Sequence, residues 1–293
     1  MKKVKIVLDW FPNTVHTGLL LAQKKGYFAE AGVEVEIFGE PHNIMDFHGA
    51  DMICGPATSM LVNMMEGTDM TAVATFTQKC DSGIVSLKEA GITSPAKLEG
   101  KRLTHWTLPW FHALVGDAVR SDGGDYSKIE LVPMNVPDIL GVLGHIADAT
   151  WVYEYWENQV LKLAGKEINY FAFADVDPKF DFCAPALGAT RQLVEEHPDA
   201  IRALLYAADR GYQEAALDPD GSVMAVKEFM PAGTPDQVLL DGQRHLAEIL
   251  LDETGHWGYI KPERWDPMAD FMIQSGLYDK RRPTEYTNEF LPR

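Results

Sequence analysis

The sequence predicts an α/β protein of two lobes, each a mainly parallel sheet flanked by helices, with a helical C-terminal part. Three observations carry this. Short apolar runs of strand length alternate with helical stretches from residue 4 to residue 174. From residue 190 onward the pattern changes to helices only. The chain, 293 residues long, is large enough for two packed domains.

Residues 4–8 read as a strand, 17–25 as a helix and 33–38 as a strand. A short strand at 51–54, a helix at 57–66 and a strand at 71–77 follow. Residues 84–87 open a new block, with one helical turn at 94–98 before a strand at 102–105. A helix over 111–121, a strand over 129–133, a helix over 136–145, a strand over 149–153, a helix over 154–163 and a strand over 169–174 complete the alternation. Single helices between strands imply parallel pairing. The later helices are placed at 190–196, 198–217, 222–229 and 235–251. Pro198 stands at a helix start, where its missing N–H costs nothing.

Composition narrows the function classes. An apolar fraction of 46% and a charged fraction of 24% are those of an ordinary globular protein. No apolar run approaches the ~20 residues that cross a bilayer. Met1-Lys2-Lys3 leads into only five strand residues before Asp9, which is no secretory signal. The net charge of −17 argues against nucleic acid or an anionic membrane as partner. Cys54, Cys80 and Cys183 are not spaced as metal pairs, and an odd number completes no disulfide framework. The nine histidines form no HExxH or comparable array, so no metal site is expected.

The first strand runs straight into Asp9-Trp10-Phe11-Pro12-Asn13 and then Thr14-Val15-His16. In open α/β sheets ligands collect beyond the carboxyl ends of strands. Trp10 offers a flat face for a planar ring. Asp9 can accept from an exocyclic amine or cap the following turn, and Asn13 and His16 can line the mouth, although His16 can instead cap the helix behind it. Gly55-Pro56-Ala57-Thr58-Ser59 starts a helix directly after a strand, so Gly55, Thr58 and Ser59 are candidates to meet an oxygen of a ligand. Trp106, Thr107 and Trp110 follow another strand; they stack on a ring or stabilise the lobe. In Tyr153-Glu154-Tyr155-Trp156-Glu157 a carboxylate is flanked by aromatics, and Tyr153 and Glu154 are preferred as site residues, with Glu157 expected in solvent. Asp181 and Cys183 stand where the chain returns between lobes, as hinge or site.

The opening motif through Gly18, with Ala22-Gln23-Lys24-Lys25-Gly26-Tyr27-Phe28 and Ala31-Gly32-Val33, resembles the superfamily of thiamin-pyrimidine-precursor binding proteins of ABC importers and the fungal thiamin pyrimidine synthase. Leu98-Glu99-Gly100-Lys101-Arg102, Val194-Glu195-Glu196-His197-Pro198 and Tyr286-Thr287-Asn288-Glu289-Phe290-Leu291 extend the resemblance over most of the chain. It implies a type II periplasmic-binding-protein fold with ligand held between lobes, residues 1–85 plus 184–293 as lobe I and 86–183 as lobe II. It implies a solute-binding protein for a small planar heterocycle, a thiamin-related pyrimidine, working as a monomer with ABC-transporter membrane subunits in the periplasm or outside the cell. Riboflavin or another aromatic vitamin is the alternative ligand, and a cytoplasmic enzyme the alternative class. The synthase's Schiff-base lysine and consumed histidine align with Gly55 and Ser59, which carry neither amine nor imidazole. No catalysis and no cofactor are therefore expected.

Overall fold

The structure, a computed structural model, describes residues 2–39, 47, 49–136 and 138–292. The chain forms two compact units, Met1–Lys79 with Phe182–Arg293 and Cys80–Asp181. Strands β1 (Lys2–Leu8), β2 (Val33–Gly39), β3 (Met52–Gly55) and β4 (Met70–Thr75) open the first unit. Strands β5 (Ser82–Leu87), β6 (Arg102–His105), β7 (Glu130–Pro133), β8 (Ala149–Tyr153) and β9 (Ile168–Ala172) make the second. Strand β10 (Ala186–Thr190) returns the chain to the first sheet. The sheet orders are β2-β1-β3-β10-β4 and β7-β6-β8-β5-β9. Because β5 is an inner strand of the second sheet, the division falls at 79/80 rather than within that strand.

Both sheets are mixed, and the exceptions share one cause. β1 pairs in parallel with β2 and β3, as does β6 with β7 and β8. β5 is antiparallel to β8 and β9, and β10 is antiparallel to β3 and β4. Each is the first strand after the chain changes unit. No crossover helix of its own sheet delivers it, so the rule that makes βαβ neighbours parallel does not bind it.

Two elements of five residues or more have no counterpart in the sequence expectation. β10 is Ala-Leu-Gly-Ala-Thr, nearly without β-branched or aromatic residues, and gives no strand signal. The Pro262–Gln274 helix carries Pro267 inside it, which masks its period. The helix expected over 136–145 shrinks to Ile139–Val142, capped by Asp138, whose carboxylate accepts from Leu140 N at 3.1 Å; Pro137 lies outside the described residues. The helix expected from residue 154 begins at Glu157. Among the described residues no helix is long and apolar enough to cross a membrane.

Each unit has its own aromatic core. In the first, Tyr212 and Trp257 stack at 4.3 Å with planes 8° apart, and Phe76 meets both edge-on. His16 leans on that same Phe76 ring at 5.8 Å, which anchors the turn after β1 to the core. In the second, Trp151 lies 5.5 Å from Phe111, 5.6 Å from Trp110, 5.8 Å from Trp106 and 4.2 Å from Phe173.

Candidate functional site

The carboxyl end of β1 carries the densest chemistry of the first unit. Parallel pairing sets Ile6 opposite Met52 and Val7 opposite Ile53, so the next step brings Asp9 near Cys54. A single helical turn, Thr14–His16, then folds back. Asn13 opens it: its side-chain oxygen accepts from Val15 N at 3.1 Å, and His16 Nδ1 accepts from Asn13 N at 3.2 Å. Polar atoms of Asp9, His16 and Cys54 lie within 4.8 Å of one another, with His16 Nε2 at 3.6 Å from Cys54 Sγ.

Such a trio invites a metal reading, and the proton positions oppose it. Because His16 Nδ1 accepts a backbone N–H, the neutral ring keeps its proton on Nε2, the nitrogen that faces Cys54 and would have to bind the ion. Burial pushes the His16 pKa down to about 3, raises the Cys54 thiol far above its ordinary value, and lifts Asp9 to about 6, an effect that hydrogen bonds to Asp9 from backbone and thiol reduce. The set is a hydrogen-bonded wall of neutral groups that presents the Asp9 carboxyl, and the thiol is inert.

Asn13 and His16 are both buried and cap the turn. The cap belongs to the Thr14–His16 turn rather than to the following helix. Trp10, by contrast, is only half-buried, and its ring touches Phe11 at 5.3 Å rather than entering the core. Gly39 lies against it so closely that a Cβ there would come 2.7 Å from Trp10 O. Gly55, Thr58 and Ser59 are all buried. Ala57 N, at the start of their helix, donates to Cys183 O at 2.9 Å, so that amide is already used. Thr58 Oγ1 is buried without a hydrogen-bond partner among the described residues and keeps its capacity to bind.

In the second unit Trp110 is 2% exposed and belongs to the core around Trp151. Thr107 is exposed, and Trp106 keeps part of its indole open. Tyr153 is half-buried beside Tyr155, ring centres 5.4 Å apart. The carboxylate of Glu154 is taken by Lys162 Nζ at 2.6 Å and by the Asn158 amide, so its expected role as the anchoring anion meets a neutralised group. Glu157 is not the solvated residue expected. It is half-buried, accepts from Tyr153 N at 3.0 Å, and burial lifts its pKa to about 7, with Asp81 adding to the rise. Asp181 accepts from Cys80 N at 2.7 Å and ties the two ends of the second unit together.

Sequence reading missed Cys54 and Glu157. The register of a parallel pair is the signal for Cys54, three residues beyond Asp51 on the strand beside β1. For Glu157 the helix was begun three residues early, which turned the wrong carboxylate toward the aromatics. A shallow cavity of about 220 Å³ lined by Leu21, Lys25, Glu214 and Leu217 contains none of the candidate residues.

Comparison with known proteins places this arrangement. Residues 13–222 match the family described as NMT1/THI5 like. The formylaminopyrimidine-binding protein of Halalkalibacterium halodurans is 27% identical over 93% of this chain and 85% of its own length. A 4-amino-5-hydroxymethyl-2-methylpyrimidine phosphate synthase of Saccharomyces cerevisiae is 31% identical over 99% of this chain and 88% of its own. Among solved structures, the ligand-binding component of an ABC-type import system from Staphylococcus aureus superposes with a TM-score of 0.73 at 13% identity, over 99% of this chain and 98% of that one. With a family match across most of its length and the periplasmic-binding-protein fold in its neighbours, this chain is a member of the NMT1/THI5-like family.

Proposed function

We propose that the chain is the substrate-binding protein of an ABC importer and captures a thiamin-related pyrimidine without making or breaking a bond. The observation that carries this reading is the end of β1, where a half-open indole, Trp10, adjoins a half-buried carboxyl, Asp9, backed by a wall of neutral groups. A flat ring stacks on the indole while Asp9 meets an exocyclic amine at its edge. In the second unit Trp106, Tyr153 and Thr107 retain exposed area. Similarity to a formylaminopyrimidine-binding protein supports the ligand class. Gly55 and Ser59 stand where the resemblance puts the synthase's lysine and histidine, and neither side chain can form an imine or supply an imidazole, which favours binding over synthesis. On this reading the chain works as a monomer in the periplasm or outside the cell and delivers its cargo to the transporter's membrane subunits.

The test is calorimetric titration of the purified chain with a formylaminopyrimidine, and with riboflavin in parallel. One-to-one binding of the pyrimidine is expected, weakened about tenfold in Trp10→Ala, the loss of one stacking contact worth roughly 1.5 kcal/mol. Riboflavin binding in its place assigns the alternative cargo. Binding of neither, or a Trp10→Ala variant with unchanged affinity, overturns the reading.

A further inference from the structure

Two histidines in the second unit stand outside the site described so far. His105 closes β6, and His112 lies in the first turn of the Pro109–Ser121 helix that follows. Their ring centres are 4.7 Å apart, and both rings are half-buried. His105 Nδ1 lies 2.9 Å from Trp106 O, and a carbonyl can only accept, so Nδ1 carries the proton and Nε2 holds the free lone pair. His112 Nδ1 lies 2.8 Å from the Tyr126 hydroxyl, which accepts as readily as it donates. Both Nδ1 atoms thus have a hydrogen-bond partner of the kind that orients a metal-bound imidazole.

This is the reverse of the Asp9–His16–Cys54 trio, where the backbone bond fixes the non-ligating tautomer. The spacing also agrees. With a metal–nitrogen bond of about 2.1 Å, a ring centre stands roughly 3.2 Å from the ion, and two rings meeting at right to tetrahedral angles have centres about 4.5–5.3 Å apart. The observed 4.7 Å falls inside that window.

We propose that His105 and His112 form a two-histidine site for a borderline divalent ion, Zn²⁺ or Cu²⁺, with water or a small ligand in the remaining positions. Neutral imidazole is the ligand that suits both ions, and the Irving–Williams order makes Cu²⁺ the tighter of the two.

The experiment uses the full chain without a histidine tag, stripped of metal by chelator and titrated calorimetrically with Zn²⁺. One ion per chain is expected, with affinity at least tenfold weaker in His105→Gln and in His112→Gln and about threefold weaker in Tyr126→Phe. Zn²⁺ binding retained at full affinity by the double histidine variant, or no binding by the unaltered chain, overturns the proposal. Should either histidine variant misfold, substoichiometric Cu²⁺ on the unaltered chain decides. The amide resonances of His105, Trp106 and His112 broaden first if the site is real, whereas broadening that begins elsewhere refutes it.

Discussion

Glu157 is the side chain with the sharpest expected response to pH. Its folded pKa of about 7 lies above the ordinary carboxyl value, so the folded chain holds this proton more tightly than the unfolded one. Below about pH 4 both states are protonated and the group costs nothing. As pH rises from there the unfolded state ionises first and stability falls; the cost is complete once pH passes about 7, at most about 3 kcal/mol. Glu157→Gln keeps an oxygen for the Tyr153 N–H and removes the charge. It should raise stability by about 2–3 kcal/mol at pH 8 and leave it unchanged at pH 4, read from urea unfolding at both values. An equal gain at both would mean that the carboxyl is not held neutral. The same residue shows where sequence reading stops. The strand end that carries Asp9 and Trp10 was legible because a short apolar run followed by an acid and an indole is a local pattern. Which of Glu154 and Glu157 is without a lysine partner depends on Lys162 and Asn158 reaching Glu154, one helical turn and more away, and that depends on where the helix begins.

At the scale of elements, the Thr17–Lys24 and Pro198–Leu217 helices cross at a point that only glycine permits. A Cβ on Gly211 would sit 2.1 Å from Gly18 O, and one on Gly18 would sit 2.3 Å from the Tyr212 ring. Neither obstacle can yield. The first is backbone, and the second is a ring stacked on Trp257 with its hydroxyl bonded to Val15 O at 2.9 Å. Gly211→Ala should therefore cost more than the 1–3 kcal/mol usual for overpacking, about 3 kcal/mol or above, as measured by urea unfolding. Gly18→Ala should cost a similar amount, and the double variant less than the sum, because both act at one crossing. A cost below about 1 kcal/mol for either would mean that the helices separate freely. Both helices were legible from their apolar period and flanking turns. Their contact was not, since Gly18 and Gly211 are nearly two hundred residues apart in sequence. β10 and the Pro262–Gln274 helix escaped for a different reason. Their composition contradicts their conformation, and tertiary packing decides it.

For the molecule as a whole, the chain passes from one unit to the other twice, and each unit holds both passages at its own side. In the second unit Asp181, its last residue, accepts from the N–H of Cys80, its first. In the first unit Arg264, 4% exposed, donates from Nη1 to Thr77 O at 2.5 Å and from Nη2 to Phe182 O at 3.0 Å, residues just before the departure and just after the return. One guanidinium fork thereby ties the outgoing and incoming segments, a task its planar geometry suits better than the single ammonium of lysine. Arg264→Leu fills similar volume, leaves Phe182 O unpaired and leaves Thr77 O with the Thr75 hydroxyl at 3.2 Å as its partner, at about 1–3 kcal/mol for each bond lost. The expected loss is about 2–5 kcal/mol, and it should be local in hydrogen exchange. Amides of residues 76–79 and 182–184 should exchange faster, while those of β6, β7 and β8 keep their protection because a separate sheet and aromatic core hold them. If protection in β6–β8 fell equally, the two units would be unfolding as one cooperative body, and the fork would be holding the whole protein rather than its crossing.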